Sequence, residues 1–463
     1  MKYLSDDDTI VALSTPLGKG AIAIVRVSGT KSLEVVNPLL KRTISPSEPR
    51  VAHFNEIHHL QSLATIDQVV TTYFRAPHSY TGEDVVEISC HCNPLIISNI
   101  IENIVQSGAR IAEPGEFTFR AFMKGKMDLS QAEAVAEVIN SRSRQSLSQA
   151  IRHLEGKLSE RIMEIRKRIL DDLSLLEINL DFSEEDIEAL PLDELQRKTT
   201  DTIRQIESLI HTYDYGKLLQ EGIKLLILGK PNVGKSSLLN TLLRKERAIV
   251  SDIPGTTRDY IEASMEIEGI ALQAVDTAGI RKTDDPVEMA GIHRALEHLE
   301  TADITLCVFE AHRPMDEDDL FLIEAIKQHR EEVKFILVQN KTDLGINPQT
   351  SRALSQLNFP TIPISATTEA GIDKLKKTIK EQLIGDRSME TEEVVVTSIR
   401  HKEALERTAR SLRDALRAMQ ENATEEIIAV DFRLALDHLG KITGETTPED
   451  VLNHIFANFC IGK

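Results

Sequence analysis

Gly229-Lys-Pro-Asn-Val-Gly-Lys-Ser236 decides the fold of this 463-residue chain. It fits the pattern G-x-x-x-x-G-K-[ST]. An almost continuous apolar run, Ile223–Leu228 (IKLLIL), precedes it and a helical pattern follows. That strand–turn–helix context is the one in which the pattern cradles phosphates. The glycines let backbone N–H groups wrap an anion, and the helix N-terminus adds the positive end of its dipole. Lys235 is placed to reach the β- and γ-phosphates, and Ser236 to bind Mg²⁺. Strand and helix signals then alternate to residue 384, as in a doubly wound parallel sheet.

The stretch downstream completes a guanine-nucleotide site. Asp276-Thr277-Ala278-Gly279 follows a predicted strand, Ile270–Val275. An Asp at that strand end holds Mg²⁺ through water, and the Gly279 N–H senses the γ-phosphate. Asn340-Lys341-Thr342-Asp343 follows the apolar run FILVQ. A carboxylate at Asp343 accepts both the guanine ring N–H and its exocyclic amine, a pair that adenine does not offer. Ser365, Ala366 and Thr367 fit the loop closing over the base. On the phosphate side the expected contacts are Asn232, Val233, Gly234, Lys235, Ser236 and Ser237. A second stretch, Ser251, Asp252, Ile253, Pro254, Gly255, Thr256 and Thr257, is expected to order around the nucleotide. Thr257 is the expected Mg²⁺ and γ-phosphate sensor. Lys235 and Asp276 are the expected catalytic groups. The predicted ligands are thus GTP and Mg²⁺, and the predicted activity is GTP hydrolysis.

Activation of the water is less direct. Signalling GTPases place a Gln after the D-T-A-G stretch, where this chain has Ile280. No arginine finger is evident in the chain itself. Charge developing between the β- and γ-phosphates must then be offset by another group. A monovalent cation is one candidate. The Asn232 side-chain oxygen can bind it, or can simply stabilise the turn.

Working outward, the chain divides by composition. Ala21–Ser28, Gln68–Phe74 and Val85–His91 are β-branched runs bounded by turn residues, and Pro94–Gln106 is amphipathic. These predict an α+β domain over 1–125. From Ser130, apolar residues recur at helical spacing: Ala132, Val135, Ala136, Ile139, then Ile162, Ile165, Ile169, Leu173 and Leu176. Helical spacing returns after Thr391 with Ala404, Leu405, Ala409, Leu412 and Leu416. The simplest arrangement is a discontinuous α-helical domain (126–217 and 385–463) carrying an inserted α/β P-loop GTPase domain (218–384). The fold class is therefore multidomain. Apolar residues at 41 % and charged residues at 27 % are an ordinary globular balance. The net charge of −19 and the absence of Trp argue against a general nucleic-acid-binding field or a base-stacking platform. Four cysteines make no disulfide scaffold. The N-terminus has no apolar leader core and no stretch long enough to span a bilayer is present, so a cytoplasmic location is expected.

With these motifs in order, the chain resembles the bacterial tRNA-modification GTPases usually called the MnmE or TrmE family. The resemblance rests on TPLGKGAIAIVRVSG, YTGEDVVE, EPGEFTFRAF, MDLSQAEAV, GKPNVGKSS, VSDIPGTTRD, DTAGIR and FCIGK, which spread over the whole length. It implies a homodimer joined through the N-terminal domains and a flavin-dependent partner (GidA, also called MnmG), assembling as a heterotetramer. It implies addition of a carboxymethylaminomethyl-type group at C5 of the wobble uridine (U34) of certain tRNAs, with the carbon drawn from 5-formyl- or methylene-tetrahydrofolate. It implies that K⁺ activates hydrolysis, held by Asn232, Ser251, Ile253 and Thr256, with Mg²⁺ on Ser236 and Thr257. Read alone, Glu288 in DDPVEMAGI is a solvated helix residue; the resemblance makes it the catalytic group that orients water. Arg281 matches a family arginine. Arg26, Glu83, Lys126 and Lys463 match the folate site. Cys460 is a reactive or folate-lining thiol, or a small buried hydrophobe.

Cys90-His91-Cys92-Asn93 departs from the family, where a glycine-rich turn is expected; it reads as a variant turn rather than a metal site. Between Asn140 and Arg168 stand eight basic and three acidic residues, a face that contacts tRNA or the partner, or is merely solvated. The rival readings are a ribosome-assembly GTPase acting as an RNA-binding switch and a slow regulatory switch.

Overall fold

The structure is a computed structural model, and it describes residues 8–181, 192–245, 263–275, 299, 302–329, 333–384, 394–459 and 462. They fall into two compact units, Met1–Ala136 with Arg152–Glu207 and Glu403–Lys463, and Glu137–Ile151 with Ser208–Lys402.

The first unit holds a six-stranded sheet of β1 (Ile10–Leu13), β2 (Ile22–Ser28), β3 (Ala52–His58), β4 (Thr65–Phe74), β5 (Val85–His91) and β6 (Arg110–Ile111), in the order β3-β4-β5-β2-β1-β6. Every pairing is antiparallel except β1 with β6. The strands alternate as a half-buried sheet requires: Ala23, Val25 and Val27, then Val69, Thr71 and Tyr73, point inward. Helix α2 (Pro94–Gln106) covers that face with Ile97, Ile100 and Ile104. It starts where predicted because Asn93 caps it, the side-chain oxygen accepting from the Leu95 N–H at 2.9 Å, with Pro94 at the first position. A short helix α1 (Ser32–Val36) precedes it in the chain.

Further along, α3 (Glu116–Met123) and α4 (Leu129–Asn140) meet the C-terminal α15 (Glu449–Ala457) around Phe119, Leu129, Val135, Phe456 and Phe459. Phe119 and Phe456 stack edge-on at 5.3 Å. Gly115, at φ +72, is needed there: a Cβ would lie 2.4 Å from the Phe456 carbonyl oxygen. Helix α6 (Lys157–Asp181) buries Ile162, Ile165, Ile169, Leu173 and Leu176, the positions its periodicity predicts. It runs antiparallel to α14 (Glu425–Thr443), as the ion pairs Glu177–Arg433 and Arg166–Glu445, both at 2.7 Å, require. Not all the expected apolar positions are buried. Ile139 is 46 % exposed at the end of α4, because the helix stops one residue later.

The second unit is a six-stranded sheet, β12-β11-β10-β7-β9-β8. Its strands are β7 (Ile223–Leu228), β8 (Ala263–Ile267), β9 (Ile270–Val275), β10 (Ile304–Glu310), β11 (Lys334–Asn340) and β12 (Thr361–Pro363). All pairs are parallel except β8 with β9. The run IKLLIL is continuously apolar because both faces are covered. Leu225 and Ile227 enter one core, and Leu226 and Leu228 the other. From β7 the chain builds β8 and β9 on one side and then returns to β10 on the other. The carboxyl ends of β7 and β10 therefore flank a topological switch point, where open α/β sheets bind ligands. Among the described residues no helix is long and apolar enough to cross a membrane.

Asp172 is an exception to the apolar inner face of α6, at 5 % exposure. Burial pushes its carboxyl up to about 6, against the opposing charge of Lys198 on α7 (Leu192–His211). An acid raised in the folded state costs stability when ionised. The cost is absent below its unfolded value of about 3.9, grows as pH rises through about 6 and is complete above that. Asp172→Asn is expected to raise stability at about pH 8 by up to about 3 kcal/mol and to leave it unchanged at about pH 4. Urea unfolding at the two pH values checks this; a gain of equal size at both would contradict it.

Candidate nucleotide-binding site

The phosphate loop leaves β7 and opens α9 (Lys235–Lys245). An anion cradle needs its amides turned inward, so its carbonyls need other donors. Side chains supply them. Lys235 Nζ donates to the carbonyls of Gly229 at 2.6 Å and Lys230 at 2.9 Å. Lys341 Nζ donates to that of Asn232 at 2.7 Å. Asn340 Nδ2 donates to that of Val233 at 2.9 Å. Four loop carbonyls are thus held by three side chains.

Backbone geometry explains the motif's fixed residues. Gly234 takes φ +101, and a Cβ there would lie 2.2 Å from Asn340 Nδ2. Asn232 sits at φ +60, a conformation that Asn tolerates better than most residues.

Asn340 works in both directions. Its Oδ1 accepts from the Ala366 N–H at 3.0 Å, and the Ala366 carbonyl in turn accepts from Thr241 Oγ1 on α9 at 3.0 Å. The base-closing loop, the strand end and the phosphate loop are therefore one hydrogen-bonded body. Ser365 and Ala366 are buried, Thr367 is exposed, and Asp343 is exposed on the short turn Thr342–Leu344. An exposed carboxylate beside a rigid loop suits a base arriving from solvent. Ser236 and Ser237 lie in the first turn of α9, Ser236 half-buried and Ser237 exposed.

Sequence reasoning missed a second ring of charges behind the loop. Lys230 Nζ lies 2.6 Å from Asp316 Oδ2 and 2.7 Å from Asp319 Oδ2. These two acids form the capping box of α10 (Glu317–Gln328). The D-x-x-D spacing before an apolar run is a visible capping signal, but nothing in it points to Lys230. Glu310, at the end of β10, pairs with Lys341. Burial raises its carboxyl, yet the Lys341 hydrogen bond and the charges of Lys341, Arg313 and Lys230 outweigh it, leaving Glu310 below the usual carboxylate range.

Several expected site residues lie outside the described residues: Ser251, Asp252, Ile253, Pro254, Gly255, Thr256, Thr257, Asp276, Thr277, Ala278, Gly279, Arg281, Glu288, Cys460 and Lys463.

In the first unit, three of the four expected folate residues gather round the segment 76–84. The Arg26 guanidinium lies 5.2 Å from the Tyr80 ring centre and 2.8 Å from Glu87. Glu83 accepts from Ser28 Oγ at 3.0 Å and from Arg120 at 3.1 Å. Arg120, itself buried, also binds Asp8 and Glu116. Lys126 Nζ donates to the Pro77 carbonyl at 3.0 Å. The neighbour of Lys463 is placed: the Gly462 carbonyl accepts from Ser14 Oγ at 3.1 Å, at the end of β1. Cys90 and His91 belong to β5, as the β-branched run Val85–His91 predicts, so the expected variant turn does not begin before Cys92. Cys90 is buried, while His91 pairs with Asp67 at 2.8 Å. Among the described residues no three His, Cys, Asp or Glu side chains group as metal ligands. Of the basic residues between 140 and 168, Lys157, Arg161 and Arg166 face Glu160, Glu164 and Glu445.

The chain is similar to known proteins along its length. The pattern of the MnmE helical domain matches residues 129–460, and that of the GTP-binding protein TrmE N-terminus matches 9–126. The tRNA modification GTPase MnmE of Alkaliphilus oremlandii is 39 % identical over 99 % of both chains. The protein of that name from Clostridioides difficile is 41 % identical over the same shares. Among solved structures, the FeoB G-domain from Methanococcus jannaschii is 25 % identical, covering 35 % of this chain and 97 % of that one with a TM-score of 0.26.

Truncating Asn340 removes a donor to the phosphate loop and an acceptor for the base loop, both buried. At about 1–2 kcal/mol for each lost bond, Asn340→Ala is expected to weaken GTP binding roughly 30- to 1,000-fold. Equilibrium titration with a fluorescent guanine nucleotide checks it; an unchanged Kd would show that the loop does not need this tie.

Proposed function

The chain belongs to the MnmE family of tRNA-modification GTPases, and from that premise we propose that it is a potassium-activated GTP hydrolase which, with a flavin-dependent partner, adds a carboxymethylaminomethyl-type group at C5 of U34 in certain tRNAs. The one-carbon unit comes from 5-formyl- or methylene-tetrahydrofolate. The protein works in the cytoplasm as a homodimer joined through residues 1–125. Residues 126–217 and 385–463 form its helical domain, and 218–384 its GTPase domain.

The observation that carries this reading is the body formed by the phosphate loop, Asn340 and Ala366. It ties the phosphate loop to the Ser365-Ala366 loop through Asn340, three residues before Asp343 in the chain, which supports a site taking phosphate and guanine together. Lys235 and the N-terminus of α9 take the phosphates, and Asp343 takes the guanine edge. Ser236 and Thr257 are the residues to hold Mg²⁺. Asn232, Ser251, Ile253 and Thr256 are those to hold K⁺. The chemistry these cations supply when bound is neutralisation of charge between the β- and γ-phosphates. Asn232 fits that role: it is exposed, at a left-handed turn, with its backbone carbonyl tied to Lys341, and its side chain carries an amide oxygen of the kind that binds a monovalent cation. Asp276 and Glu288 are the further catalytic groups, Glu288 orienting the attacking water.

The folate reading is supported by the chemistry round residues 76–84. Glu83 is a carboxylate that can accept from pterin donors, Tyr80 offers a ring, and Arg26, Lys126 and Lys463 are cations for a glutamyl tail. Arg120 and Ser28 hold Glu83 in place.

Exchanging K⁺ for Na⁺ is expected to lower the GTP turnover rate roughly ten- to a hundred-fold. Asn232→Ala is expected to remove the difference between the two cations. Equal rates in both salts for the wild-type chain would take potassium out of the mechanism while leaving the GTPase activity itself standing.

A further inference from the structure

Glu310 is an anion built into the back of an anion-binding loop, and the phosphates gain nothing from its charge directly. Its position explains it. β10 and β11 run parallel with Glu310 level with Asn340, so the carboxylate stands beside the strand end from which Lys341 departs. Lys341 turns there at φ +64, a backbone conformation that side-chain-bearing residues rarely adopt and that persists only where the surroundings enforce it. Two contacts enforce it: one to Glu310 and one, at 2.7 Å, to the Asn232 carbonyl. Asn232 is itself left-handed at φ +60. One ammonium therefore joins two residues in uncommon conformations, on the guanine side and the phosphate side of the same site.

Glu310 is 7 % exposed. The other cations facing it are more distant or otherwise engaged. Arg313 Nε is 3.7 Å from the second carboxylate oxygen and largely in solvent. Lys230 is held by Asp316 and Asp319. The carboxylate's strong partner is Lys341.

We infer that Glu310 is a positioning residue for guanine-nucleotide binding: its carboxylate aims the Lys341 ammonium at the Asn232 carbonyl and so sets the phosphate loop and the base wall together before nucleotide arrives. The inference rests on GTP hydrolysis, not on the potassium or folate readings. A residue that acts through ground-state placement alters affinity rather than the chemical step. Glu310→Gln keeps the shape and removes the charge; Glu310→Asp keeps the charge on a shorter stem.

The test is a double-mutant cycle with Lys341→Ala, read by the Kd of fluorescent GDP and GTP and by single-turnover hydrolysis, on the full chain. Expected is a loss of affinity of about tenfold for both nucleotides in Glu310→Gln, with the single-turnover rate within about twofold of wild type. Glu310→Asp is expected to recover most of the affinity, and Glu310→Gln to have no further effect in the Lys341→Ala background. Losses that add independently in the two backgrounds would overturn the inference, as would a wild-type Kd in Glu310→Gln. An equal loss in Glu310→Asp with a lowered melting temperature would also overturn it, leaving Glu310 only a structural role.

Discussion

Four carbonyls of the phosphate loop accept from side chains rather than from loop amides. Lys235, Lys341 and Asn340 are the donors. That constraint organises the second unit. It requires β10 and β11 to run three residues past the end of β7, where Leu228 is level with Cys307 and Leu337, so that residues 310, 340 and 341 arrive beside the loop. It requires Gly234, because any side chain there would displace the Asn340 amide. It also makes base recognition and phosphate recognition one mechanical element, since Asn340 reaches from Val233 to Ala366. A loose anion site would bind phosphate without preference among bases; here the base loop is fastened to the cradle.

The first unit answers a different demand with similar means. Its sheet buries one face under α2, and its charged residues sit in a network of Asp8, Glu83, Glu116, Arg110 and Arg120. Burial works against the Glu116 carboxylate, and the hydrogen bonds from Arg110, the Glu113 backbone and Arg120 overcome it, holding it low. Removing one partner from such a network leaves a buried charge uncompensated, which is more damaging than replacing the pair. The network fixes Glu83 at the edge of the segment that also carries Tyr80 and meets Lys126. A carboxylate held this way can offer its remaining lone pairs to a ligand without rearranging.

Much of this was legible in the sequence, for physical reasons. Periodicity and local caps are short-range, so α2 was readable to the residue from Asn93-Pro94 and its apolar spacing, and the inner face of α6 from the recurrence of Ile and Leu. The phosphate loop and N-K-x-D are constrained by backbone conformation and base chemistry, which leave fixed letters behind. The pairing of Lys230 with Asp316 and Asp319, and of Glu310 with Lys341, left none. These contacts join residues 31 to 89 positions apart and depend on the order of strands in the sheet. Cys90-His91 read both as the end of the run Val85–His91 and as the start of a variant turn, because the family pattern puts a glycine-rich turn there. It is strand because Cys90 alternates inward with Ile88 and Val86. Ile139 read as core because periodicity cannot say where a helix loses its neighbour.

The account's central claim is that GTP hydrolysis at this site serves tRNA modification. The most direct measurement is nucleoside mass spectrometry of bulk tRNA from cells lacking the chain, beside cells given back the wild type or Asp276→Ala. The account predicts loss of the 5-substituted wobble uridine, restored by the wild type and not by the variant. A nucleoside profile unchanged by loss of the chain would contradict it.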